Sequence, residues 1–517
     1  MYFKKPLLFI ILFTLFITDK IEAQMPQPDL GKRADWMRGT YGLNWKPGKG
    51  ANGKYESENY TINHFLNQIS HLKTVDYIQL HLNESNIYTP VHAAPHDLIE
   101  SFWEGDMSDG SPINLVVPRN SIGRDPFLDI LKAIRAAGLK VQVYVNSSNM
   151  LRRAGRPSPN DFPDVTNRWM NWCDTDPYAQ EFINSKSYHT DGINTNRPYM
   201  FCYAEFILKE YAVRYGDLID AWCFDSGRYM WQYGGDNRDS DDLNEQRIYQ
   251  AFADACHAGN PNAAISFQNS PGSKNLVDNP FTPATLFCDY MFGHPFNGGK
   301  NVGSNVKNKF IIDWTATRNG YAHLNDHNKP NRTWDDKVVG HYDPPMSTTR
   351  WNTGSKPGVD NAIFAEYYSD MIIGNGAVSF GIPLNSRYNF DSQFLCRDWA
   401  IIQLELLDDY LNVNQFPGAP NWARQRTILP DAVSGIPYTH TLVEGTDFWD
   451  PEGDAITSLK STENSPAWLT ILETEPGVWT LSGRPNETIN KEYEFNLVVS
   501  DASGRTSRLV SMKVNVN

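Results

Sequence analysis

Short apolar runs that are rich in strand-forming residues recur along most of the chain and alternate with stretches of helical periodicity. This alternation is typical of a parallel α/β fold, in which each strand is followed by a helix. Eight runs are predicted to be strands, and they are Thr40–Trp45, Asp76–Leu82, Lys140–Asn146, Ile219–Asp225, Ala263–Gln268, Leu286–Phe292, Phe310–Trp314 and Ala377–Pro383. Eight strands joined by long loops favour a closed (β/α)8 barrel over an open doubly wound sheet.

One helix and the strand after it can be followed residue by residue. Asp125 and Pro126 are suited to the N-cap and the first position of a helix, and apolar residues follow them at helical spacing. Gly138 is predicted to end this helix, and the strand Lys140–Asn146 begins almost at once. The strand ends in a polar residue, Asn146, which we expect at the C-terminal face of the barrel.

The pattern changes after residue 412. Residues 413–430 contain the turn-rich segment Asn-Gln-Phe-Pro-Gly-Ala-Pro-Asn and are predicted to be a linker. Residues 431–517 alternate apolar and polar positions, as in Tyr493–Val499, and lack a convincing helical pattern. We therefore predict a barrel domain over 25–412 and a small all-β immunoglobulin-like sandwich over 431–517.

The first residues have the layout of a signal peptide. Two lysines precede the apolar run Pro6–Ile17, and a small-residue exit closes the segment Met1–Gln24. A transmembrane anchor is the alternative, but the run is shorter than the roughly 20 residues that a bilayer requires. No later segment is apolar enough to span a membrane, so we expect a secreted, periplasmic or cell-surface protein.

Composition narrows the classes of partner. The net charge of −14 argues against a nucleic-acid ligand, because phosphate binding requires a cationic surface. The chain has 15 Trp and 25 Tyr, whose flat faces suit stacking against sugar rings, although most of them are expected to fill the core. The six cysteines match no zinc spacing, and their pairing cannot be read from the sequence.

Asp225 is the leading candidate for chemistry. In barrel enzymes the reactive groups come from the C-terminal ends of the strands, and Asp225 ends an apolar strand. The alternative is an aspartate that only caps the next helix.

The segment Tyr215–Asp225 (YGDLIDAWCFD) resembles the strand of family 29 α-L-fucosidases that carries the nucleophile. Further segments resemble that family in the same order across roughly 40–385, and they are Thr40–Trp45, Ile130–Tyr144, Lys309–Tyr321 and Asp370–Pro383. The resemblance implies a (β/α)8 barrel that hydrolyses α-L-fucosidic bonds with retention, without a cofactor. It implies Asp225 as nucleophile and His81 as a substrate-binding residue.

The acid/base position departs from family 29. His294 stands where that family has a glutamate, and a related family of endo-acting barrels that cleave sulfated fucan uses histidine there. The resemblance implies His294 as the first choice for the acid/base. Asp289 is the second choice, as a carboxylic acid whose pKa the site would have to raise, and Asp313, Asp343 and Glu366 are more remote candidates. An imidazole with a pKa near its usual value of about 6.5 can give and take a proton. The alternative for His294 is a loop histidine that binds sulfate or a sugar hydroxyl.

Aromatic, amide and cationic side chains on the barrel-face loops are candidates for binding substrate. The set comprises Asn44, Trp45, His81, Asn146, Arg152, Arg153, Trp231 and Trp314. Arginines hold planar oxyanions through forked hydrogen bonds, so Arg152 and Arg153 favour a sulfated glycan. A solvated run of charge is the alternative for these arginines.

The last domain resembles cadherin-like and immunoglobulin-like modules of bacterial surface enzymes. The matching segments are Phe448–Asp454, Pro466–Leu469 and Leu481–Pro485. The carboxylates of Asp450, Glu452, Asp454 and Asp501 are candidate ligands of a structural Ca²⁺, whereas a hydrogen-bonded turn explains the same residues without a metal. A spacer or a weak glycan contact is the expected role of this module.

These observations favour a retaining, endo-acting hydrolase of a sulfated fucan (fucoidan). One alternative is an exo-α-L-fucosidase, which would have a closed pocket for one sugar instead of an open groove. Another is a catalytically silent glycan-binding or adhesion protein, in which the altered acid/base position reflects lost activity.

Overall fold

The computed structural model describes most of both predicted domains. The described residues are 32–47, 61–86, 89–102, 125–147, 163–191, 196–225, 227, 230, 242–268, 285–293, 338–347, 352, 354–385, 393–414, 420–422, 426–450, 453–461, 465–486, 491–507 and 510–517. The predicted signal peptide, Met1–Gln24, and the predicted strand Phe310–Trp314 lie outside these residues.

A parallel sheet of seven strands forms the centre of the first domain. Its strands are β1 (Thr40–Trp45), β2 (Val75–His81), β5 (Lys140–Asn146), β6 (Ala221–Asp225), β7 (Ala264–Phe267), β8 (His341–Tyr342) and β9 (Ala377–Gly381), and a separate hairpin consists of β3 (Asn83–Asn86) and β4 (Thr89–His92). The order across the sheet is β7-β6-β5-β2-β1-β9-β8. Six of these strands coincide closely with predicted ones, whereas the two-residue β8 was not among the predictions.

The sheet curls into a half-barrel, and residues 289–293 lie between its two edges. The Asp289 N–H donates to the Ile265 carbonyl of β7 at 2.7 Å. On the other side, the Met291 N–H donates to Val339 at 2.8 Å, and Tyr290 and Gly293 form parallel bridges with Val339 and Tyr342. The described residues therefore define a curled parallel sheet, and they do not establish a complete eight-stranded barrel.

Helices cover the outer face of this sheet. They are α1 (Asn63–Ile69), α2 (Asp97–Phe102), α3 (Pro126–Ala136), α4 (Pro163–Thr175), α5 (Pro177–Asn184), α6 (Arg197–Cys202), α7 (Lys209–Tyr215), α8 (Arg247–His257), α9 (Asn361–Ile373) and α10 (Asp398–Asn414), with a π-helical segment over Tyr203–Leu208. The apolar faces of these helices and the outward side chains of the strands form one continuous buried core.

The helix α3 begins as predicted. The Asp125 carboxylate accepts from the N–H groups of Phe127 at 3.0 Å and Leu128 at 3.1 Å, and Pro126 occupies the first turn. Gly138 has a φ of 78°, a left-handed conformation that favours glycine, so the chain turns there into β5.

The C-terminal module is built only from strands among its described residues. They are β10 (Asn421–Trp422), β11 (Arg426–Ile428), β12 (Tyr438–Val443), β13 (Phe448–Trp449), β14 (Ile456–Ser461), β15 (Leu469–Glu475), β16 (Val478–Gly483), β17 (Lys491–Asp501) and β18 (Val510–Val516). Sheets β11-β18-β17-β14 and β12-β16-β15 enclose a second core. The strands β10 and β11 fall within the stretch predicted to be a linker, and both pair with strands of the module.

A network of charges joins the module to the N-terminal ends of strands of the parallel sheet. The Arg135 guanidinium contacts Asp220 at 2.8 Å and Glu494 at 3.5 Å, and the Lys140 ammonium contacts the same two carboxylates at 3.1 and 2.7 Å. Burial alone would lower the pKa of Arg135, but the charges of Asp220, Glu494 and Glu492 outweigh it and raise the pKa. Because these side chains are mostly withdrawn from solvent, the module is docked against the half-barrel.

All six cysteines are buried and have free thiols. Among the described residues, no helix has both the length and the apolar character needed to cross a membrane.

Candidate active site

Alternate residues of the parallel strands point into the curled sheet and form layers there. The layer at the C-terminal ends contains Asn44, His81, Tyr144, Asp225, Phe292 and Asp343. Trp222 and Phe224 of β6 point the other way into the main core, so Cys223 and Asp225 face the interior. This alternation brings the predicted nucleophile into the layer where barrel enzymes hold their reactive groups.

Asp225 is held from both its backbone and its side chain. It lies opposite Asn146 in the register between β5 and β6. Its carbonyl oxygen accepts from the Ser147 N–H at 3.1 Å and from the Ser147 hydroxyl at 2.7 Å. Its carboxylate oxygen Oδ2 accepts a hydrogen bond from the hydroxyl of Tyr144. These hydrogen bonds fix the orientation of Asp225. The residue is half-buried, so it is still partly exposed to solvent.

Three side chains from neighbouring strands surround this pair. The His81 ring stacks on the Tyr144 ring with 3.9 Å between centroids, and the His81 Nε2 atom lies 3.0 Å from the Asn44 Oδ1 atom. The Lys46 ammonium lies 5.9 Å from the centre of the Tyr144 ring. The site therefore joins a carboxylate, a phenol, an imidazole, an amide and a half-buried cation.

A buried polar network forms the floor beneath this layer. The Gln79 amide donates to Gln142 at 2.8 Å, and the Gln142 amide donates to the Tyr290 hydroxyl at 2.9 Å. On the far side, the Ser379 hydroxyl donates to Gln142 at 3.1 Å and lies 2.8 Å from the His341 Nε2 atom. Connected buried polar groups of this kind favour a single arrangement of the strand ends above them.

Cys223 is influenced by the charges of two carboxylates in this interior. Burial raises the pKa of its thiol most, and the charges of Asp343 and then Asp225 raise it further. The thiol therefore stays protonated and is unsuited to nucleophilic chemistry. Both carboxylates act on the same side chain, which indicates that Asp343 and Asp225 share the interior of the sheet.

Two of the predicted binding residues, Asn44 and His81, lie in this layer, whereas Trp45 does not. Trp45 follows Asn44 on β1, so its side chain points outward, where it stacks on Phe65. Its indole N–H donates to the Phe394 carbonyl at 3.2 Å, and the side chain is fully buried. The prediction that Trp45 binds substrate is therefore corrected, because this tryptophan packs in the core.

Asn146 is close to the nucleophile but fully enclosed. It is not exposed to solvent, and its backbone N–H donates to the Asn83 side-chain oxygen. Its side chain also forms a hydrogen bond with Tyr144. The observed contacts of Asn146 are thus with the residues that support Asp225.

Asp289, the second choice for the acid/base, faces away from the site. Successive side chains in this segment point to opposite faces. Tyr290 and Phe292 point into the interior, so Asp289 points outward. The Asp289 Oδ2 atom accepts from the Ile265 N–H at 2.9 Å, and the Oδ1 atom lies 3.8 Å from the Arg33 guanidinium. The geometry does not bring Asp289 to Asp225.

The remaining predicted site residues lie outside the described residues, and they are His294, Arg152, Arg153, Trp231 and Trp314. The more remote candidate Asp343 is buried, and its N–H donates to the Gly293 carbonyl at 2.8 Å. Tyr144 and Lys46 were missed as functional candidates. Counting alternate positions back from Asn146 places Tyr144 on the inward face, and this signal was available in the sequence.

The acidic residues of the module are arranged around an arginine. The Arg505 guanidinium contacts Asp454 at 2.6 Å and Asp501 at 3.0 Å, and the Asp450 carboxylate accepts from the Asp454 N–H at 3.0 Å. Within the described part of the chain, no group of three or more His, Cys, Asp or Glu is placed to hold a metal ion. Glu452 lies outside that part, and calcium binding stays a prediction.

The chain is similar to known proteins, both in its C-terminal part and over most of its length. Residues 424–517 match the family described as Putative Ig domain. No curated protein matches this chain. Several solved structures are similar to it.

An H294Q variant of the endo-fucoidan hydrolase MfFcnA4 from glycoside hydrolase family 107 is 50% identical, with a TM-score of 0.76 over 95% of this chain and 69% of that chain. MfFcnA4 itself is 49% identical, with a TM-score of 0.75 over 96% of this chain and 69% of that chain. The endo-fucoidan hydrolase MfFcnA9 of the same family is 49% identical, with a TM-score of 0.75 over 95% of this chain and 82% of that chain.

These similarities define the protein as a glycoside hydrolase. The chain belongs to glycoside hydrolase family 107. Assignment to family 29 is not supported, and the similarity instead lies with endo-acting relatives.

Proposed function

We propose that this protein is an endo-acting hydrolase of the α-L-fucosidic bonds of fucoidan. The solved relatives at 49–50% identity are named as endo-fucoidan hydrolases and are similar over nearly the whole chain. The observation that carries the proposal within this chain is the Asp225 carboxylate, which is fixed by Tyr144 at the C-terminal end of β6.

Asp225 is proposed to act as the nucleophile of a double displacement. One oxygen of its carboxylate attacks the anomeric carbon, the glycosidic C–O bond breaks, and the leaving oxygen takes a proton from the acid/base. Water then gives its proton to that same group and attacks the anomeric carbon, which breaks the bond to Asp225 and releases a product of retained configuration.

His294 is proposed as the acid/base. An imidazole can protonate the leaving oxygen and later accept a proton from water near neutral pH. The H294Q substitution in the name of one relative removes a titratable imidazole from that protein, which is consistent with histidine in this role. Asp289 is left out of the proposed mechanism because its carboxylate faces Ile265 and Arg33.

The substrate is proposed to be sulfated. Lys46 places a half-buried ammonium group beside Tyr144, within the layer that holds Asp225. A sulfate ester on the sugar would meet this charge close to the point of cleavage.

We further propose that the described half-barrel belongs to a closed (β/α)8 barrel, which is supported by residues 289–293 between its edges. We also propose that the protein is exported through the signal peptide Met1–Gln24.

The test is digestion of fucoidan by the wild-type protein, followed over time by size-exclusion chromatography. We expect a ladder of oligosaccharides from the earliest samples, and proton NMR should show the α-anomer of the new reducing end first. Asp225→Asn should lower the rate at least about 1000-fold. The matched control Asp176→Asn keeps a helix cap on the exposed helix α5 and should digest like wild type.

Each outcome tests a separate part of the proposal. Release of fucose alone would contradict endo action, and early β-anomer would contradict retention. An Asp225→Asn variant that is folded and as active as wild type would remove Asp225 from the mechanism.

A further inference from the structure

Tyr144 is the side chain in direct contact with the proposed nucleophile. It is buried, its ring is fixed against His81, and its hydroxyl donates to the Asp225 Oδ2 atom. The register between β5 and β6 makes this contact possible, because Tyr144 pairs with Cys223, two residues before Asp225 on β6.

The phenol is held in the state that can donate. Burial raises the pKa of Tyr144 well above its usual value, and the charge of Asp225 raises it further. A side-chain hydrogen bond with Asn146 acts in the opposite direction. The hydroxyl therefore keeps its proton and points it at the carboxylate.

We propose that Tyr144 is a positioning residue for Asp225, an inference that rests on the proposed function. With Oδ2 held by the phenol, the plane of the carboxylate is fixed and the Oδ1 atom is presented to the anomeric carbon. Orienting an attacking atom in advance lowers the barrier of a displacement. The same hydrogen bond is strongest when Asp225 carries its full charge, so it also assists release of the carboxylate in the second step.

The test variant is Tyr144→Phe, which keeps the ring on His81 and removes only the hydroxyl. We expect kcat to fall by about 100-fold with KM changed by less than about threefold, as for the misplacement of a reacting group. A carboxylate that has lost a donor is protonated more readily, so the acidic limb of the pH–activity profile should move to higher pH.

The charged and titratable groups that face the pair from the described strands remain in place in this variant, and they are Lys46, His81, Cys223 and Asp343. The matched control is Tyr211→Phe. Tyr211 is equally buried, and its hydroxyl donates to the Ala94 carbonyl at 2.9 Å, away from the site. This control should keep kcat within about twofold of wild type, with an unshifted pH profile.

A second substitution guards against a folding defect in Tyr144→Phe. Replacing Tyr144 by 3-fluorotyrosine retains the ring and makes the phenol a stronger donor, so the acidic limb should move to lower pH. Opposite shifts in the two variants are not expected from a purely structural role.

The inference is overturned if Tyr144→Phe keeps kcat within twofold of wild type, if it behaves like Tyr211→Phe, or if the two Tyr144 variants shift the profile in the same direction. These results leave the proposed function intact as long as wild type degrades fucoidan and Asp225→Asn does not. A wild-type protein that leaves fucoidan undigested would refute the proposed function together with the role of Tyr144 in it.

Discussion

At the scale of single residues, the face of a strand decides which carboxylates can act. Asp343 and Asp289 are both buried and belong to segments that pair with each other. Asp343 follows His341, which points into the interior, and its charge acts on Cys223. Asp289 points outward to Arg33. Successive side chains of a strand point to opposite faces. Asp343 therefore faces the site, whereas Asp289 faces outward and has a structural role.

We predict opposite results for the two matched variants Asp343→Asn and Asp289→Asn. The first should lower kcat by tenfold or more, because it removes a negative charge from the layer where positive charge develops on the sugar. The second should keep kcat within about threefold, since an asparagine can still accept from the Ile265 N–H. Initial rates on fucoidan, with thermal melts to confirm folding, decide this, and equal losses in both variants would contradict the assignment of faces.

At the scale of elements, one aspartate joins two helices. Besides capping α3, the Asp125 carboxylate accepts from the Arg214 guanidinium at 3.1 Å and from the Tyr215 hydroxyl at 2.9 Å, both on α7. The start of α3 and the end of α7 are therefore fixed to each other, and the strands that follow these helices, β5 and β6, carry Tyr144 and Asp225.

We predict that Asp125→Ala lowers the free energy of unfolding by about 2–4 kcal/mol, because it removes a helix cap and two further hydrogen bonds. Asp176→Ala provides the comparison. Asp176 caps α5 through Tyr178 and Ala179 only, and we expect a loss of about 1 kcal/mol. Urea denaturation monitored by tryptophan fluorescence measures both, and equal losses would show that the contacts with α7 contribute nothing.

The elements that could be predicted from the sequence are those determined locally. The start of α3 at Asp125 and Pro126, its end at Gly138 and the strand β5 follow from caps, periodicity and breakers, and the structure confirms them. The strand β8 has only two residues, His341 and Tyr342, which is too short for a periodic signal.

Contacts between strands were harder to predict. Asp225 could be located at a strand end from the sequence, but its bond to Tyr144 depends on the register between β5 and β6. The packing of Trp45 depends on which face of β1 turns outward, and a strand that is buried on both faces does not reveal this.

At the scale of the whole molecule, the two domains meet through a shielded ion network. The side chains of Arg135, Lys140 and Asp220 are only 13%, 12% and 10% exposed, and Glu494 is 27% exposed. A carboxylate removed from such a network leaves its partners short of a counter-charge, whereas an exposed pair loses little.

We predict that Glu494→Gln destabilises the protein by about 1–3 kcal/mol and separates the melting of the two domains. Glu492→Gln is the control two residues away, because Glu492 is 43% exposed, pairs with Lys513 at 2.6 Å and approaches Arg135 only to 3.9 Å. It should cost less than about 1 kcal/mol. Differential scanning calorimetry resolves the two cases, and an unchanged melt for Glu494→Gln would mean that the network does not couple the domains.

The module docks at the beginnings of β5 and β6, whereas Asp225 lies where β6 ends. An enzyme tethered to a bead or an electrode through this module would thus be held on the side where β5 and β6 begin, and not on the side of Asp225. Long polysaccharide chains in solution would then reach Asp225 without obstruction by the support.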